Sequence, residues 1–189
     1  MTDGAWQQLW NARLAGLEGL FGKSDPDVQH AVVPFELGYE AGGGPDYVTF
    51  SNHKGGVLFV SAELTGESSQ LPSAAMGQYE LAMLHRGEED WHSRIQRGLA
   101  YYSLKTVIEP GHTMDLGPLA PGGSEISALL FVDYGRFKLN DKSAGVLLLV
   151  GITQHELAMK DYSGAEVLVD TLKEQGVFPF TDWWRQSTV

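Results

Sequence analysis

The chain has 189 residues, 43% of them hydrophobic, which fits one globular domain with a substantial core. A formal charge of −11 excludes a nonspecific nucleic-acid binder, because that activity needs a basic footprint to release counterions. The absence of cysteine excludes disulfides, thiolate catalysis and cysteine-ligated zinc, and no apolar run approaches the roughly 18 residues of a membrane span.

From the N-terminus, Trp6, Trp10, Leu14, Leu17 and Phe21 recur at helical spacing, with Leu9 and Leu20 widening the stripe. This predicts an amphipathic helix over 1–22, packed on its own domain or docked through its two Trp on a partner or a second copy. No basic region leads into an apolar stretch there, so no secretory signal is expected, and a cysteine-free chain fits a reducing cytoplasm. Lys23-Ser24-Asp25-Pro26 breaks the helix, and 23–189 reads as one domain.

Residues 28–37 suggest a strand interrupted by Pro34, followed by a loop at Gly42-Gly43-Gly44-Pro45-Asp46. A triple glycine cradles phosphate only between a strand and a helix N-terminus; lying between strands, this one reads as a plain loop. Residues 47–50 and 57–64 predict a hairpin, and Tyr79, Leu81 and Met83, alternating with Glu80 and Ala82, predict a further strand.

Glu88, Glu89 and Asp90 suit the positive end of a central helix whose apolar face is Trp91, Ile95, Leu99 and Tyr102. Gly98 within it costs about 1 kcal/mol relative to alanine, which implies close backbone packing. Glu109-Pro110-Gly111 reads as a turn before a short strand around Thr113; 118–124 reads as a loop and 126–132 as an apolar strand.

Residues 146–150 are unbroken apolar, as in a strand covered on both faces. Thr153 with Glu156, and Ser163 with Glu166, form two capping boxes, so two helices are expected in succession. Leu168 and Leu172, with Val167 and Val169 nearby, stripe the second helix, and Gly176 stands where a left-handed residue would end it. Asp182 and Arg185, three apart, predict a local ion pair that pins the tail. The order favours an α+β class: a single domain with a mixed, largely antiparallel sheet and helices packed over it.

Val150-Gly151-Ile152-Thr153-Gln154-His155-Glu156-Leu157 and Pro179-Phe180-Thr181-Asp182-Trp183-Trp184-Arg185 resemble the V-G-[IV]-T-x-x-E-L and [WP]-x-[IT]-T-D-x-x-R segments of the suppressor of fused family. Tyr47-Val48-Thr49-Phe50-Ser51, Gly77-Gln78-Tyr79-Glu80-Leu81, Leu99-Ala100-Tyr101-Tyr102, Gly111-His112 and Gly117-Pro118-Leu119 resemble further motifs of that family in order. The resemblance covers roughly 46–185. It implies a stand-alone lobe of the bacterial type: a cytoplasmic, stoichiometric protein binder, in the manner of an immunity protein that neutralises a toxin. No cofactor, metal, nucleic acid or membrane is implied. Tyr102 matches the groove tyrosine of animal relatives, whereas their acidic position after the glycine is His112 here, and their histidine before Pro-Leu falls on Leu116. The partner surface is accordingly expected near Tyr102, His112 and Asp115, with Trp183 or Trp184 at its edge.

Catalytic patterns are weak. The six histidines form no H-x-x-x-H or H-E-x-x-H pair, and the chain has no G-x-S-x-G elbow and no phosphate-binding loop. One competing reading is a hydrolytic or metal-dependent cleft using His112, Asp115 and Asp133, with Glu80 nearby. Another is a structural subunit that associates through the N-terminal helix.

Overall fold

The computed structural model describes residues 3–66, 68–87 and 91–189. The expected acidic opening of the central helix at Glu88, Glu89 and Asp90 lies outside the described residues. In chain order the elements are α1 (Asp3–Phe21), β1 (Tyr47–His53), β2 (Gly56–Ser61), β3 (Tyr79–His85), α2 (Trp91–Ser103), β4 (Thr113–Asp115), β5 (Ile126–Leu139), β6 (Lys142–Thr153), α3 (Gln154–Ser163) and α4 (Ala165–Glu174).

The strands form one sheet in the order β1-β2-β3-β6-β5-β4, with β3–β6 parallel and the other pairings antiparallel. The sheet is therefore mixed and largely antiparallel, and the class is α+β. Strand β6 lies inside it and is buried continuously from Ala144 to Thr153, which is why its sequence is uniformly apolar. Its alternate residues serve two cores. Val146, Leu148, Val150 and Ile152 join Leu17 of α1 and Leu168 and Leu172 of α4. Leu147 and Leu149 face the opposite way and join Ile95, Leu99 and Ala100 of α2. Helices thus cover both faces.

Helix α1 packs along β5 through Leu17, while Trp6, 45% exposed, stacks on Trp10. The β1–β2 turn falls on Lys54-Gly55, both with positive φ, as a two-residue hairpin connection demands. No helix among the described residues is long and apolar enough to cross a membrane.

Four local expectations change. Residues 28–37 form no strand: Gln29 bridges to Tyr47, Pro34 bridges to Gly44, and 3-10 turns follow at Phe35–Leu37 and Tyr39–Ala41. Pro34 has no N–H to donate to a ladder. Strand β2 stops at Ser61 because the chain then curls around the fully buried Glu80, whose carboxylate accepts from the N–H groups of Leu64 and Thr65. Ser163 closes α3 instead of capping α4, and Gly164 takes the cap position without a side-chain bond. A side chain at Gly98 would meet nothing within 4 Å, so close packing is not its reason. The Thr153–Glu156 capping box forms as read, and Gly176 ends α4 at φ +69°.

Candidate partner-binding site

Edge strand β4 is only three residues long and pairs Thr113, Met114 and Asp115 with Leu130, Leu129 and Ala128. The pairing is extended by one step, with Gly111 N–H donating to Phe131 O at 2.8 Å and Phe131 N–H donating to His112 O at 3.0 Å. Strand β5 continues to Leu139 on the β6 side. Among the described residues no strand pairs with its outer edge beyond Phe131, so that edge presents unused backbone donors and acceptors.

Beside this open edge runs a groove of about 730 Å³, walled by Leu130, Val132 and Asp133 on one side and by Ala165, Val169 and Lys173 on the other. Gly111, at the foot of the groove, has a φ of +86°, the left-handed region that favours glycine, and a Cβ there would be in ordinary contact with Ala165 of α4 at 3.5 Å. The groove therefore combines an apolar floor, both signs of charge on its rim and an unpaired strand edge.

The structure places the sequence-predicted residues around this region in different ways. His112 and Asp115 are both exposed, His112 just before the edge strand β4 and Asp115 at its end. His112 Nδ1 accepts from Glu109 N–H at 3.3 Å, and Asp115 Oδ1 accepts from Gly117 N–H at 2.6 Å. Burial pushes the Glu109 carboxyl up, but bonds from Ser73, Ala74 and Ala75, with His112 nearby, outweigh it and leave the group more acidic than usual. Tyr102 is 44% exposed at the end of α2, and no described hydrogen bond or ring contact joins it to His112 or Asp115.

Trp183 is corrected. It is 1% exposed, with its ring 6.0 Å from that of Trp91, and its carbonyl accepts from Ser124 Oγ at 2.5 Å. It seals the α2-side core and cannot touch a partner. Its neighbour Trp184 is 58% exposed.

The acid–base cleft does not assemble. Asp115 stands opposite Ala128, and Asp133 lies five residues further along β5, which is about 16 Å of strand. Asp133 is bound to Arg136 at 2.6 Å, and Glu80 is withdrawn into the core. Among the described residues no three His, Asp or Glu side chains are grouped to hold a metal. Sequence reading missed the continuation of β5 past Val132. Its signal was the alternation Phe137-Lys138-Leu139 running into the Asn140-Asp141 turn.

The family model of suppressor of fused protein (SUFU) matches residues 46–186. Among solved structures, a suppressor of fused homolog from Neisseria gonorrhoeae FA 1090 is 18% identical with a TM-score of 0.68, covering 97% of this chain and 98% of that one. A chain of the Sufu–Fu complex is 14% identical with a TM-score of 0.71, over 95% of this chain and 91% of that one. Drosophila Suppressor of Fused is 14% identical with a TM-score of 0.61, over 80% of this chain and 45% of that one. At these identities the likenesses establish the fold. No curated protein matches the sequence.

Proposed function

This chain belongs to the suppressor of fused family, and from that premise we propose that it is a non-catalytic protein-binding domain of the immunity type, acting in the cytoplasm to neutralise a toxin or another protein. The observation that carries the reading is the open outer edge of β5 beside the α4 groove. A partner segment can add there as a further strand, taking its affinity from backbone hydrogen bonds and its specificity from side chains seated in the groove. His112, just before β4, and Asp115 at its end, together with Tyr102 and Trp184, would form the rim. Rim groups matter mainly by excluding water from the centre and by setting charge preference. A relative is known as part of a Sufu–Fu complex, which supports a stoichiometric binder. The charge of −11 would speed encounter with a basic partner.

The test is co-expression with the product of the adjacent gene. The expected result is a stable complex that relieves that product's toxicity, with amide-exchange protection appearing at 132–139 in the bound state. Substrate turnover by the purified chain, abolished by Asp115→Asn, would sink the proposal.

A further inference from the structure

Gly98 sits inside α2, where glycine destabilises a helix relative to alanine, yet no neighbour requires its lack of a side chain. Over it lies a cavity of about 640 Å³. Arg94 and Arg97, three apart on α2, border this cavity together with Gly98, which stands one turn after Arg94. Arg97 is held in place: its guanidinium lies 5.1 Å from the centre of the Tyr39 ring, and Nη2 donates to Tyr39 O at 3.3 Å. The glycine loop closes on its stem, since a Cβ at Gly44 would sit 3.5 Å from Arg97 Cδ.

No described carboxylate lies within ion-pair distance of either arginine, whereas Arg13, Arg136 and Arg185 are each paired with one. Asp46, adjacent in sequence to the cavity wall, is already taken by His30 Nδ1 at 2.7 Å and Ala31 N–H at 2.9 Å. Among the described residues Arg86 also lacks a carboxylate but stacks on Phe180 and donates to Gly176 O, whereas Arg94 and Arg97 bring two positive charges to the wall of one cavity.

We infer that this cavity receives the carboxylate side chain of an Asp or Glu from a protein partner, gripped by Arg94 and Arg97 over the bare backbone at Gly98. Guanidinium groups match carboxylate oxygens in a planar, two-pronged arrangement. The other walls, Tyr39, Tyr47 and Leu119, suit the apolar stem of such a side chain. A free phosphate has no stem to place there and meets stronger repulsion from the acidic surface. The inference rests on the protein-binding reading but concerns a different surface, which shares no residue with the β5 groove.

The probe is the blocked peptide acetyl-Glu-Tyr-amide, titrated into the full chain while NMR follows the Arg94 and Arg97 Nε–H groups and the Gly98 amide. Saturable shifts are expected at these groups, with binding weakened about tenfold or more for the Gln analogue and for Arg97→Gln. Gly98→Leu, whose Cβ would meet nothing within 4 Å, places a side chain in the cavity and is expected to abolish binding while leaving unfolding stability no lower. Absence of saturable shifts, unchanged binding by Gly98→Leu, or inorganic phosphate binding as tightly as the peptide would each overturn the inference. Amide protection at 132–139 by a protein partner reports on the β5 edge separately, so failure of one reading is not failure of the other.

Discussion

Arg185 clasps Glu156 with two hydrogen bonds of 2.6 Å, Nη1 to Oε1 and Nη2 to Oε2, and both side chains are almost wholly removed from water. The same carboxylate closes the capping box by accepting from Thr153 N–H, and it accepts from the N–H and hydroxyl of Thr188. Arg185 also donates to Gly151 O at 2.9 Å, which ties the tail to β6. One buried charge pair therefore joins the start of α3, the end of β6 and the C-terminal segment. The ion pair expected between Asp182 and Arg185 is absent; Asp182 instead accepts from Trp184 N–H.

Removing one member of this pair leaves the other charged and buried. Glu156→Gln and Arg185→Met are each expected to destabilise the fold by about 3–5 kcal/mol, against about 1–2 kcal/mol for Thr153→Ala, which removes a cap and a hydroxyl bond to Ser187. Urea unfolding measures all three. The double variant Glu156→Gln/Arg185→Met should lose clearly less than the sum of its parts, because the two side chains act as a unit.

The pair also sets an acid limit. Burial alone would raise the Glu156 carboxyl, but the Arg185 side chain, Thr153 N–H and Thr188 N–H outweigh it and hold the group below its usual 4.5. The unfolded chain then takes up the proton more readily than the folded one. The stabilisation is complete above about pH 4.5 and is lost as pH falls through the lower folded value. Glu63, raised by burial, works in the opposite direction. The informative measurement is consequently the difference between wild type and Glu156→Gln across a series of urea titrations. That difference should shrink as the pH is lowered below 4.5; a constant difference would contradict the assignment.

Two helical glycines should respond with opposite sign. A Cβ at Gly16 would fall 2.4 Å from Phe137 Cδ2, so Gly16→Ala must push a buried ring and is expected to cost about 1–3 kcal/mol. Gly98→Ala enters open space and should stabilise by about 0.5–1 kcal/mol through helix propensity. Thermal unfolding of the two variants side by side is the check.

The adjacent tryptophans separate in the same way. Trp183→Ala should destabilise by about 3–5 kcal/mol, as expected for emptying a fully buried aromatic site. Trp184→Ala, at a 58% exposed position, should cost clearly less stability than Trp183→Ala and show its main effect in partner binding. Denaturation together with a binding measurement distinguishes the two roles.

Some features of this protein were determined by local sequence alone. The cap of α3 follows from Thr153 and Glu156 standing three apart, and the burial of β6 from an uninterrupted apolar run. The first hairpin and the α+β class follow from periodicity and turn residues, whereas α3 and α4 do follow one another although the second of the two capping boxes that predicted them does not form. These succeed because each rests on groups within one turn or one strand, where spacing fixes geometry. The candidate groove was legible only in part: His112 and Asp115 could be placed near a short strand, but its edge position and the open continuation of β5 emerge only when the strands are paired.

Tertiary structure decided the rest. Glu80 alternates with apolar neighbours like a residue facing water, yet it is buried because Ser61, Thr65 and Arg13, remote in sequence, converge on its carboxylate. Arg185 chose Glu156 over the nearer Asp182, Trp183 turned inward while Trp184 turned out, and Gly98 came to face a cavity instead of a neighbour. In each case the outcome depends on which distant surface arrives opposite a side chain. No spacing along the chain encodes that, because the desolvation of a charge or a ring is settled only by the complete set of groups that enclose it.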